Sequence, residues 1–175
     1  MSWTDKVGSL LQQYTSGGAA AQPAPDVHAH FDEVANAAPL SAIAEGLTAA
    51  FKSDKTPAFG QMLSTLFNNS TGDQKAGLIN HLLSSVDPST LSQVLSATGL
   101  GGLVGAGTSQ LTADQAQKIS PEAVQQLATH AQNANPSIVE SVSNFYAQHT
   151  TLVKTLGGAA LAIALAKVAE RQKQA

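Results

Sequence analysis

From Thr155 to Ala166 the chain carries no charge, and Lys154 and Lys167 close the stretch at either end. A helix that crosses a membrane needs about 20 apolar residues to cover roughly 30 Å of hydrocarbon, and this stretch falls short of that. It therefore reads as a helix buried inside protein or lying at an interface. Only 12% of the 175 residues are charged, against about 25% in an ordinary soluble domain, so Ser, Thr, Gln and Asn must build most of the polar surface. With no cysteine, disulfides, thiolate zinc sites and cysteine nucleophiles are excluded. A net charge of −3 offers no broad electrostatic footprint for nucleic acid.

Apolar residues recur at helical spacing along nearly the whole chain, and no stretch alternates convincingly with the period of a strand. The expected fold is all-α, an irregular multi-helix bundle of about seven to nine helices. Trp3, Val7, Leu10, Leu11 and Tyr14 fall on one face of a short amphipathic helix, which makes residues 1–14 an N-terminal helical arm. Residues 15–25, rich in Gly, Ala and Pro, have linker composition and little to bury. Residues 26–175 are expected to form a single all-helical domain carrying the arm on this linker.

Within that domain the punctuation is chemical. Thr71 and Gln74 match a capping box, in which each side chain satisfies a free backbone N–H of the other's residue at a helix start. Asp87 followed by Pro88 reads as a cap and a first helical residue, with Gly99 as the stop. Thr112 and Ser120 open two consecutive helices, each with an acidic residue in the first turn, where the helix dipole favours it. Asn135-Pro136 opens another, and residues 150–175 are expected to form one closing helix with Lys167, Arg171 and Lys173 near its negative end.

Candidate chemistry is sparse. Asp26, His28, His30, Asp32 and Glu33 form the densest titratable cluster. His28 and His30 diverge by about 200° on a helix, and His28 with Asp32 at i,i+4 supplies two metal ligands where a site needs more. His81, His130 and His149 have no acidic neighbours at helical spacing. No Gly-x-Ser-x-Gly elbow occurs, Gly107-Thr108 lacks the lysine of a phosphate loop, and Gly99-x-Gly101 leads to Val104 where a dinucleotide motif needs glycine. The second of the tandem capped helices carries Glu122 and no Lys or Arg, so it is a poor reader of DNA. No catalytic, cofactor or metal residues are assigned.

The segment Leu111-Thr-Ala-Asp-Gln-Ala-Gln-Lys-Ile-Ser-Pro-Glu-Ala-Val124, with Asn144-Phe-Tyr-Ala-Gln-His149 and the apolar run over 156–169, resembles a group of all-helical proteobacterial proteins of the Burkholderia type, some of them considered as antigens. The likeness covers the last third of the chain. A fainter similarity, in Leu-rich helices around Gly-rich turns, runs to the small helical YidB-like family. Both resemblances imply an all-α bacterial protein, and neither brings active-site residues to these positions.

The resulting expectation is a non-catalytic interaction or scaffold module, with Trp3, Val7, Leu10, Leu11 and Tyr14 laid into a groove on a protein partner or on a second copy. The alternative is peripheral attachment to a membrane surface, through the same arm or through residues 152–169, weakened because Lys6 is the arm's lone cation. A third reading is a metal protein or enzyme centred on the Asp26 to Glu33 cluster. The N-terminus lacks the apolar core of a secretory signal, so the cytoplasm is the default location, with signal-less export to the surface left open.

Overall fold

In a computed structural model, residues 3–15, 26–102 and 110–174 are described. Among them the chain is all-α, with eleven α-helices and no strand. In chain order these are α1 Trp3–Thr15, α2 Val27–Ala37, α3 Leu40–Lys52, α4 Phe59–Asn68, α5 Gly72–Ser84, α6 Pro88–Thr98, α7 Ala113–Gln117, α8 Pro121–Ala134, α9 Ile138–Ala147, α10 Thr150–Val153 and α11 Gly158–Gln174. A single 3₁₀ turn, Leu100–Gly102, follows α6. The linker read at 15–25 lies, but for Thr15, outside the described residues.

The helices gather into two compact units, one built from Met1–Ala58 with Ser143–Ala175 and the other from Phe59–Val142. In the first unit α11 is the organising helix, packed against α3, α1 and α2. Leu161, Leu165 and Val168 of α11 are buried, as are Ile43, Leu47 and Phe51 of α3 and Val27, Phe31 and Val34 of α2. Helices α3 and α11 approach so closely that a Cβ on Gly46 would stand 2.7 Å from the Ala164 carbonyl oxygen. Glycine is needed there because any side chain would force the helices apart. Two ion pairs cross between helices of this unit, Lys154 with Asp32 and Arg171 with Glu45.

The second unit pairs α4 with α8 and α5 with α7. Its core takes Phe59, Met62, Leu63, Leu66 and Phe67 from α4, Leu78, Ile79, Leu82 and Leu83 from α5, and Val124 and Leu127 from α8. A Cβ on Gly60 would meet the Gln125 carbonyl oxygen and Thr129 Oγ1 at 2.7 Å each, so α4 and α8 also meet through a glycine. The expected capping box of Thr71 with Gln74 forms, and the Thr112 cap proves to be a second box, closed by Gln115. The Asp87 side chain accepts from the Ser89 and Thr90 amides, the Ser120 hydroxyl accepts from the Ala123 amide, and Gly99 ends α6 at a φ of 71°. The Asn80 amide group clasps Leu111, accepting from its N–H at 2.8 Å and donating to its carbonyl at 3.3 Å.

The closing stretch differs from the single helix expected over 150–175. It breaks into α10 and α11 at residues 154–157. There the Thr155 amide donates to Leu152 and the Leu156 amide to Val153, three residues back instead of four, and the Thr155 hydroxyl takes the Leu152 carbonyl at 2.6 Å. Tight i→i−3 bonding of this kind, followed by the weak helix formers Gly157 and Gly158, ends one helix and lets the next start in a new direction.

Candidate functional site

The N-terminal face singled out in the sequence is packed into the first unit. Val7, Leu11 and Tyr14 stand at i, i+4 and i+7 on α1, so a single stripe carries all three. Each is buried, at 0, 1 and 4% exposure, where α1 packs on α11 and α2. Leu10 is half-buried at the edge of the stripe. Trp3 is the first residue of α1, and its side chain lies outside the described part.

The end of the stripe is closed by a polar contact. The Tyr14 hydroxyl lies 2.7 Å from Nδ1 of His30 on α2, and the two rings meet edge to face at 5.9 Å. The phenol donates when Nδ1 carries its lone pair, which puts the imidazole proton on Nε2. Burial, with the negative charge of Asp26 as the lesser cause, raises the Tyr14 pKa above its ordinary value, so the neutral phenol is the form held here. A depression of about 150 Å³, open to solvent, runs beside α1 and α11 and is lined by Gly8, Leu11, Gln12, Ala169, Gln172 and Lys173.

The titratable cluster around His28 is dispersed by the same packing. His28 is exposed, His30 is turned to Tyr14, and the Asp32 carboxylate accepts from Lys154 Nζ at 2.9 Å. Among the described residues no three His, Asp or Glu side chains gather as a metal would require. No helix among them is long and apolar enough to cross a membrane. On α8, Glu122, Gln125, Gln126, Thr129 and His130 line a shallow, polar depression of about 370 Å³ that contains no Lys or Arg.

The pairing of Tyr14 with His30 was not legible beforehand. The two lie 16 residues apart on different helices, and only His30's place on the apolar side of α2 hinted that it faced inward. What the seat of α1 can do is therefore physical: it takes one amphipathic helix, with two aliphatic anchors and a third, aromatic one whose hydroxyl is read by an imidazole. No family model, curated protein or solved structure matches the chain.

Proposed function

We propose that the protein is a non-catalytic interaction module that works by helix-in-groove docking, with the α1 stripe as the ligand half and the α2–α11 groove as the receptor half. The observation that carries this reading is the α1 seat itself: three anchors at i, i+4 and i+7, one of them hydrogen-bonded across to His30. Partner helices of many complexes are held by this spacing of anchors. Because α1 already fills the groove, a partner protein gains access either by offering a competing helix or by taking α1 for itself. The likenesses to proteobacterial helical proteins fit such a module and contribute no site residues to it.

The test uses a labelled peptide of residues 1–15 as the probe. In the full chain carrying Leu11→Asp, a carboxylate replaces a side chain that is 1% exposed, so α1 leaves its seat and the groove opens. The peptide should bind this variant at micromolar concentration and fail to bind the native chain, whose own α1 competes at an effective concentration on the order of millimolar. A chain lacking residues 1–15 serves as a second open form. If neither open form binds the peptide while both keep the helical circular dichroism of the remainder, helix docking in this groove is wrong.

A further inference from the structure

We infer that the groove accepts α1 from a second copy of this chain, so that two molecules associate by exchanging their N-terminal helices. The inference rests on the docking reading above and names its partner. Three observations support it. First, the occupant known to fit the groove is α1, and a second copy offers the identical stripe of Val7, Leu11 and Tyr14, with the phenol that His30 binds. An exchanged contact repeats every bond of the closed one, which is why exchange is a low-cost route to dimers.

Second, α1 is the kind of helix that can leave. Gly8 stands in its middle, where glycine is the poorest helix former after proline. It also brings no side chain to the seam with α11, beside an open depression of about 150 Å³. Third, eleven residues, 16–26, join α1 to α2, and eleven residues can span roughly 36–40 Å when extended. A folded chain of about 100 residues has a radius of gyration of about 13 Å, so this connection is long enough to reach a groove on an adjoining molecule. The same length keeps the closed form dominant in dilute solution, and exchange gains as the concentration of chains approaches millimolar.

The native chain has no cysteine, which makes a crosslinking test clean. A Cβ on Gly8 would lie 3.2 Å from Nε2 of Gln172, so these positions face each other across the seam. Two full-length single variants, Gly8→Cys and Gln172→Cys, are mixed and joined with a short bis-maleimide reagent. The double variant in one chain is treated in parallel. Exchange predicts 8-to-172 links between chains that exceed 8-to-8 and 172-to-172 links several-fold and that rise with concentration through roughly 0.1–1 mM. Adding Leu11→Asp to the Gly8→Cys chain should remove the excess.

Intermolecular 8-to-172 links no commoner than the like-to-like links, with efficient internal linking in the double variant, would overturn exchange and leave the docked helix intact. Persistence of the excess in the Leu11→Asp chain would also overturn it, by tracing the links to random collision. Failure of the double variant to link internally would instead sink the docked seat, and with it the functional reading.

Discussion

The two units bury similar side chains and are specified in different ways. In the second, helix starts are written locally: Thr71, Asp87, Thr112 and Ser120 each supply a side-chain acceptor to the amides of the helix they precede. In the first, the residues that precede α2, α3 and α10, namely Asp26, Pro39 and His149, make no such bond. Its order comes from packing between distant parts of the chain, α3 against α11 above all, and from cross-helix contacts such as Lys154 to Asp32 and Tyr14 to His30. One unit thus adds local caps to the packing of α4 on α8, and the other is closed by its two ends without such caps. A unit held by closure is also the one in which a terminal helix can be traded.

The strongest way to probe this difference is through the glycine that each unit places between its principal helices. Gly46→Ala and Gly60→Ala both drive a methyl group to 2.7 Å from a backbone carbonyl oxygen, so the facing helices must shift. Overpacking of this kind costs about 1–3 kcal/mol. Both variants should lose stability in urea titration, despite the gain of a better helix former. The comparison is sharpened by hydrogen exchange: Gly46→Ala should deprotect α1, α2, α3 and α11, and Gly60→Ala should deprotect α4 and α8. Uniform deprotection by either variant would show that the two units open as one and would break the comparison.

The caps should give the next largest effect, and an asymmetric one. Removing a Thr cap costs about 1 kcal/mol. Thr112→Ala removes one half of a capping box whose bonds run at 3.0 and 3.3 Å, so it should destabilise α7 and the Asn80 clasp beside it. Asp26→Ala has no cap bond to lose and should change stability by less than half as much. Equal losses, measured by thermal or urea unfolding, would contradict the claim that local chemistry carries more weight in the second unit.

The same contrast explains what could be read from the sequence. Capping boxes, Asp-Pro starts and the Gly99 stop are chemistry within four or so residues, and those of the second unit appear where the residue types predict them. The apolar residues that recur at helical spacing along the chain are the buried ones in α2 to α5, because a helix shows its inward face at fixed spacing. What periodicity lacks is the identity of the neighbour. Gly46 reads as a weak point in a helix until Ala164, 118 positions later, is found against it. The stripe of α1 reads equally well as a free ligand and as a core face, and only the seat on α11 and α2 shows that it is occupied. The break at 154–157 had its signal in Lys154, Thr155 and the Gly157-Gly158 pair, which the uncharged run beyond them outweighed.

The smallest effects should come from pH, and they act on the two units from opposite directions. Tyr14 holds its proton more tightly than an ordinary phenol because it is buried and, secondarily, because Asp26 lies near. Its contribution to the seat of α1 is therefore complete below the ordinary value of 10.0 and is lost as pH rises through the raised value in the folded chain. Asp87 is held well below the ordinary carboxylate value, first by the Ser89 hydroxyl and then by the Thr90 amide and hydroxyl. Its contribution to α6 is complete above 3.8 and is lost as pH falls through the lowered value. Alkali should then loosen α1 while α6 stays capped, and strong acid should fray the start of α6 while the Tyr14 phenol stays neutral. Tyrosine absorbance in the native chain and in Tyr14→Phe checks the first half: their difference isolates the Tyr14 phenol from the buried Tyr146, and the alkaline release of α1 should disappear with it. Release at the same pH in both chains would show that the phenol is not what holds the helix end, and that the aliphatic anchors Val7 and Leu11 set the strength of the seat alone.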